Sequence, residues 1–322
     1  VHDRAGRTLH RHLLEAAELR SNITMVVPLR LVDLIEVDDG WKIKAESPDG
    51  TGQEIITGSV VLATNGFGAN PERVARHIPE VVDGLYFGGD HSLGDALEIG
   101  ERLGADVGFL DSYQGHGSVA TPHGVLITWT AMMNGAFLVN ANGQRFGDET
   151  TGYSEFAVKV IAQPESRAWM IYDKAVHEKA LPFADYQQMV ESGGIRWTDD
   201  VAGLASLIGC DEATISATLE GIATFGSSAA VDPLGRTLWP HDLEPPFTAI
   251  KVTGALFHTQ GGLSVNEHAN VLRGGKTIPG LYAAGGAAIG ISGNGASGYL
   301  SGNGLLGALG LGYLAGRAIG HG

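Results

Sequence analysis

The sequence predicts an α/β protein in which one domain is assembled from both ends of the chain and a second, α+β, domain is inserted between them. Three observations carry this. A short β-branched run, Val60-Val61-Leu62-Ala63-Thr64, opens into Asn65-Gly66-Phe67-Gly68. A second strand, glycine loop and helix run from Ile278 to Gly307, near the other end of the chain. Between them, from about Asp106 to Ile250, strands alternate with amphipathic helices.

Taken in order, Thr8 to Leu19 places Leu9, Leu13 and Ala17 at helical spacing. Ile23 to Val27 and Leu29 to Val37 read as strands. Asp38-Asp39-Gly40 is a turn signal and Trp41 to Ala45 a further strand, which predicts a hairpin; Pro48-Asp49-Gly50 is a second turn. In the middle region Ala136 to Asn140 and Ala168 to Tyr172 read as strands. Val201 to Leu207 and Asp211 to Phe225 read as helices, with Asp211 as N-cap of the second. Pro245-Pro246-Phe247 marks the return to the first domain. The expected boundaries are 1–105 and 251–322 for the composite domain and 106–250 for the insertion.

Composition sets limits on partners. With 322 residues, 43% hydrophobic and 18% charged, the chain can bury a sizeable core. A formal net charge of −15 argues against nucleic acid and anionic membrane surfaces, which repel an acidic protein. Cys210 is the single cysteine, so an intrachain disulfide is impossible and a reducing compartment, the cytoplasm, is expected. One thiol is too few for a zinc or iron–sulfur cage, no metal site is expected, and the plain reading of Cys210 is a small core residue. The most apolar run, Leu305 to Ile319, is short, holds four glycines and meets Arg317. It reads as a buried helix and not as a membrane span.

The last 42 residues hold 14 of the 48 glycines. Such a backbone can approach a flat ligand closely. A helix starting near Asn303 would offer unpaired N–H groups and partial positive charge to it. A glycine-rich packing loop would look the same, and the residues alone leave both readings open.

A resemblance goes further. Five stretches, in order, resemble the fumarate reductase/succinate dehydrogenase flavoprotein superfamily: VVLATNGFG (60–68), GDHSLGDALEIGERLGA (89–105), GQRFGDE (143–149), HTQGGL (258–263) and the final strand, loop and helix (278–307). The resemblance implies a Rossmann-like FAD-binding domain with an inserted α+β substrate-binding cap. It implies FAD contacts from Ala63, Thr64, Asn65 and Gly66, from Gly261 and Gly262, and from Ala284, Gly285 and Gly286. Gly302, Asn303, Gly304, Leu305 and Leu306 would complete them, the helix end lying against the flavin. Family members open with a strand and a GxGxxG loop that holds the pyrophosphate. No such fingerprint precedes Val60, so the FAD domain is expected to be incomplete at its N-terminus: a fragment, or a chain that needs a second polypeptide carrying that segment. Gly286 is a further departure, since relatives often carry an acidic or amide residue there.

The resemblance also implies a site. Fumarate reductases grip two carboxylates with arginines at two places, and here those places hold Tyr153 and Tyr299. A guanidinium is always charged and binds a carboxylate bidentately, whereas a phenol is neutral at pH 7. Tyrosines there resemble the 3-ketosteroid dehydrogenases, in which one tyrosine takes a proton α to the carbonyl, another polarises its oxygen, and hydride leaves to flavin N5. Tyr153, Tyr299 and Ser301 are the expected catalytic residues, with Tyr299-Leu300-Ser301 nearer the 4-dehydrogenase pattern. His116, Thr128 and His258 match substrate-binding positions. Arg145 and Glu149 are expected to pair structurally behind Tyr153, and Trp129, Met132 and Met133 to line an apolar pocket or pack in the core. The expected activity is FAD-dependent dehydrogenation of adjacent carbons beside a ketone, with a small hydrophobic steroid-like substrate and a separate electron acceptor. The alternatives are flavin-dependent reduction of an activated alkene, and a non-catalytic subunit of a split flavoenzyme.

Overall fold

The computed structural model describes residues 6–227 and 230–321. The chain divides into two compact units, Val1–Gly58 and Ser59–Gly322. The first holds helix α1 (Gly6–Glu18) and an antiparallel sheet of β1 (Arg30–Val37), β2 (Gly40–Glu46) and β3 (Gly52–Thr57) in the order β1-β2-β3. The expected hairpin is present, with Val37 opposite Gly40. Ile23–Val27, expected as a strand, is not one. Its β-branched residues have no strand beside them to complete a ladder, and they stay exposed.

The second unit begins with β4 (Val60–Leu62), α2 (Pro71–His77), β5 (Leu85–Tyr86), α3 (Asp95–Arg102) and β6 (Val107–Gly108). Then come β7 (Tyr113–Ala120), β8 (Val125–Leu126), α4 (Thr130–Met133), β9 (Phe137–Val139), α5 (Tyr153–Ile161) and β10 (Arg167–Tyr172). The middle region closes with α6 (Lys174–Ala180), α7 (Ala184–Glu191), β11 (Trp197–Thr198), α8 (Val201–Ile208) and α9 (Glu212–Ser227). Last are β12 (Phe247–Thr259), β13 (Gly262–Leu263), β14 (Asn270–Arg273), β15 (Lys276–Ala283), α10 (Asn303–Leu306) and α11 (Gly312–His321).

Acidic residues start α6, α8 and α9. Asp173, Asp200 and Asp211 accept from the backbone N–H of Val176, Gly203 and Thr214 at 3.0, 2.7 and 3.0 Å. Each satisfies a donor that the first turn leaves unpaired.

The main sheet has the path β8-β7-β12-β10-β9, with β11 and β5 also paired to β12. Both of its faces are buried, and the side chains sort by the two-residue strand repeat. Leu138, Met170 and Tyr172 face a core shared with Trp129, Phe156 and Val160. Phe137, Val139, Trp169 and Ile171 face the opposite core, filled by Leu204, Ile208, Ile215 and Ile222 of α8 and α9. Cys210 packs partly buried against that second core.

A smaller sheet, β14-β15-β4, positions the glycine loops. β15 and β4 are parallel, with Leu281 opposite Val60 and Ala283 opposite Leu62. Both strands therefore end side by side, and Ala284 N–H donates to the Leu62 carbonyl at 3.0 Å.

Helix begins at Asn303, as expected, and runs through a π-helical segment, Gly307–Leu311, into α11. It is not the buried helix that its apolarity suggested. Ala315 is buried against Ala269 and Tyr282, while Leu305, Leu306, Leu309 and Tyr313 are exposed. Ala315, Ala318 and Leu311 form the packed face, and the other large residues project away from it. Among the described residues no helix is long and apolar enough to cross a membrane, and no group of His, Cys, Asp or Glu could hold a metal ion.

Candidate active site

Four rings form a row. His116 on β7 stacks on Tyr153, the first residue of α5, with centroids 5.0 Å apart and planes 21° apart. Tyr153 meets Tyr299 edge to face at 5.7 Å, and Tyr299 meets His258, at the end of β12, at 6.1 Å. Residues separated by nearly 150 positions are thus brought side by side. Phe257 stacks on the free flank of His116 at 5.3 Å.

A cavity of about 340 Å³ opens beside this row, within the usual size of a small-molecule site. Its wall includes His116, Thr128, Trp129, Tyr153, Phe183 and Phe257. Lys and Arg are absent from its lining, and the one acid is Asp185. Trp129 takes the pocket role foreseen for it, whereas Met132 is core and Met133 is exposed.

Burial sets the protonation of the row. It lowers the His116 imidazole to about 3 and pushes His258 down as well, so both are neutral at pH 7. Burial also raises the Tyr299 hydroxyl well above its usual value, and its hydrogen bond with Tyr153 adds to this.

The loop carrying Tyr153 is anchored by ions. Glu149 is fully buried and accepts from Arg145 Nε at 3.2 Å and NH2 at 2.9 Å, from Arg236 NH1 at 3.2 Å and from Leu138 N–H at 3.1 Å. Arg145 also reaches Asp232 at 2.8 Å. The expected Arg145–Glu149 pair is therefore present, enlarged by Arg236 and Asp232. The Glu149 carbonyl accepts from Trp129 Nε1 at 3.2 Å, so the network also holds the pocket wall.

The last loop is anchored by amides. Asn303 donates to Gln260 Oε1 and to Ser292 Oγ, and Ser292 Oγ accepts from Leu300 N–H at 3.2 Å. This fixes the backbone beside Tyr299. Ser301 is exposed in the turn that follows. Gln260 and Ser292 were missed in the sequence, although Gln260 stands inside the HTQGGL stretch. Ser118 was missed too; it lies two residues after His116 and so on the same strand face.

The proposed cofactor residues fall into two groups. Ala63–Gly66 and Ala284–Gly286 leave the carboxyl ends of the parallel neighbours β4 and β15, the usual ligand position of an open α/β sheet. Gly302, Gly304, Leu305 and Leu306 are exposed at the start of the helix, where the first turn has free N–H groups. A β-carbon on Gly286 would collide with Asn65 Oδ1, so the Asn65 amide fills the space that a side chain would need. Thr64 Oγ1 accepts from Ala96 N–H at 3.2 Å and Asn65 donates to Ser92 at 2.9 Å, which leaves their backbones for a ligand. Gly261 and Gly262 sit differently. Both are buried, against the backbones of Phe109–Leu110 and Ala287–Ala288 respectively.

Two of the expected cofactor stretches, Ala63–Gly66 and Ala284–Gly286, thus lie side by side at the strand ends. The profile of the FAD binding domain family matches residues 2–305.

The chain belongs to that family.

FAD is accordingly its cofactor, and the fumarate reductase/succinate dehydrogenase flavoproteins are its superfamily. A fumarate reductase (cytochrome) of Shewanella frigidimarina is 30% identical over 261 residues, covering 80% of this chain and 45% of that protein. The chain thus spans less than half the length of that relative. An open conformation of a flavocytochrome c3 fumarate reductase superposes with a TM-score of 0.76 at 28% identity, over 96% of this chain and 54% of that one. The 3-ketosteroid-Δ4-(5α)-dehydrogenase of Rhodococcus jostii RHA1, in complex with 4-androstene-3,17-dione, superposes with a TM-score of 0.69 at 25% identity. That alignment covers 97% of this chain and 63% of the dehydrogenase. The mixed α/β fold of this FAD-binding family member is that of these flavoproteins.

Proposed function

We propose that this chain is the flavin- and substrate-binding part of an oxidoreductase that removes hydrogens from adjacent carbons next to a ketone. The observation that carries the reading is the Tyr153–Tyr299 pair beside a cavity lined by no cation and one acid. A dicarboxylate would enter such a pocket without a partner for either charge, at high desolvation cost. A neutral cyclic ketone keeps its apolar body against Trp129, Phe183 and Phe257 and its oxygen against a phenol. In this reading residues 106–250 supply most of the cap that covers the substrate.

FAD, when bound, supplies a two-electron acceptor for the hydride. The residues of the chain handle the proton and the oxygen. Tyr299, held protonated by burial, donates its O–H to the ketone oxygen and acidifies the adjacent C–H. Tyr153, which lines the cavity, is the base that takes the α-proton. Ser301 adds a hydroxyl to the same loop, while Thr128 and the two histidines orient the substrate. Electrons leave to an external acceptor.

One observation favours a second reading, reduction of an activated alkene. A buried phenol such as Tyr299 keeps its proton at neutral pH, as a donor to carbon must. Anaerobic addition of ketones and of enones to the flavin-loaded protein separates the two. Bleaching of the flavin band by a saturated cyclic ketone supports dehydrogenation. Re-oxidation of pre-reduced flavin by enones alone supports reduction, and a silent flavin in both arms rejects the ketone pocket.

A further inference from the structure

The two histidines of the ring row hold their protons on different nitrogens. His116 Nδ1 lies 3.1 Å from Ser118 Oγ. The hydroxyl proton of Ser118 is already committed to the Ile127 carbonyl at 2.8 Å, an atom that can only accept. The contact with the ring therefore runs from Nδ1–H to Oγ. Nε2 of His116 is left bare, an acceptor. Among the described residues nothing hydrogen-bonds it, it is not one of the fully shielded orphan atoms, and its ring lines the cavity.

His258 is the converse. Ile291 N–H donates to Asn303 Oδ1 at 3.0 Å, which orients that amide. Asn303 Nδ2 must then donate to Gln260 Oε1, and this leaves Gln260 Nε2 facing His258 Nδ1 at 2.6 Å. Nδ1 accepts, so the proton of the neutral ring sits on Nε2, a donor. Two contacts would need the opposite tautomer, Nδ1 to the Thr259 carbonyl at 3.5 Å and Gln260 Nε2 to His258 Nε2 at 3.4 Å, and both are much longer than the 2.6 Å contact at Nδ1.

We propose that Ser118, by fixing the His116 tautomer, makes the cavity select a hydroxylated cyclic ketone whose O–H donor meets His116 Nε2, with Gln260 fixing the opposite tautomer at the Tyr299 end of the ring row. A diketone or a carboxylate would set a second acceptor against the bare nitrogen, leaving two buried acceptors face to face. The inference rests on the ketone reading and narrows it. Ser118 and Gln260 are positioning residues that act through the imidazoles.

The test has two arms, both on the full chain loaded with FAD. In ¹⁵N-labelled protein, with His116→Gln and His258→Gln for assignment, the ring nitrogens should report Nδ1–H at His116 and Nε2–H at His258. A proton on His116 Nε2 overturns the proposal. The second arm titrates two rigid cyclic ketones that differ by a hydroxyl or a ketone at the far end. The hydroxyketone should bind about tenfold more tightly. Ser118→Ala, which frees the ring to carry its proton on Nε2, should bring the two within about threefold. Equal affinities in the unsubstituted protein overturn the tautomer argument and leave the ketone reading standing. Binding of neither ketone overturns both. The labelled spectrum and the unsubstituted titration decide the matter even if Ser118→Ala does not fold.

Discussion

Glu149 and Tyr153 stand four residues apart, yet they belong to opposite kinds of site. Around Glu149 both carboxylate oxygens accept two donors each, and Arg145, Arg236 and Asp232 close a buried network. Around Tyr153 the valences are open, because His116 and Tyr153 line a cavity and His116 Nε2 has no partner among the described residues. Both regions are buried and polar, so burial alone does not distinguish chemistry from scaffolding. Counting the donors and acceptors left over does. The ion network has none to offer a substrate, and the ring row has several.

Substitutions can break this contrast. Glu149→Ala leaves two buried guanidinium groups short of a counter-charge, and should lower unfolding free energy by about 3–5 kcal/mol in a urea titration. A loss below about 1 kcal/mol would mean that water reaches the network. Tyr153→Phe and Tyr299→Phe should do the reverse, with stability nearly unchanged and the rate of flavin reduction by a cyclic ketone down about a hundredfold or more, roughly 2.7 kcal/mol in the barrier. Stopped-flow absorbance reads that rate.

His116 sharpens the comparison through pH. Its folded-state pKa lies below the unfolded value, so the unfolded chain binds the extra proton. The stability this neutral imidazole allows is therefore present above pH 6.5 or so. Each pH unit below about 6.5 should cost about 1.4 kcal/mol until the folded pKa is approached, and His116→Gln should flatten that slope. Chemical denaturation between pH 4 and 7 measures it. The smallest effect belongs to a helix cap far from either region: Asp211→Ala should cost about 1 kcal/mol with no change in flavin chemistry.

The sequence disclosed elements whose cause is local. The Asp211 cap, the hairpin at Asp38–Gly40 and the helix from Asn303 each follow from neighbours within a few residues. The five ordered motifs disclosed the family, and the two tyrosines proved to be adjacent. What stayed hidden was set by distance along the chain. Arg236 reaches Ala136 and Glu149 across about a hundred residues, and no periodicity announces it. The tautomers depend on a serine, a glutamine and an asparagine whose significance comes only from what they touch. Ile23–Val27 shows the opposite failure, since β-branched composition is a preference and a strand also needs a neighbour. The helix after Leu305 shows that an apolar run can present its large side chains outward.

Thirteen consecutive residues of β12 link the parts of the site. Its first half is laced to β10, its second half to β7, and its far end carries Phe257 against His116 and His258 against Tyr299. One strand therefore carries both a pocket wall and the ring that flanks Tyr299. A slip of that strand carries Phe257 and His258 along together, and the register shift between Leu256 and His258 is the point where the backbone can set one against the other.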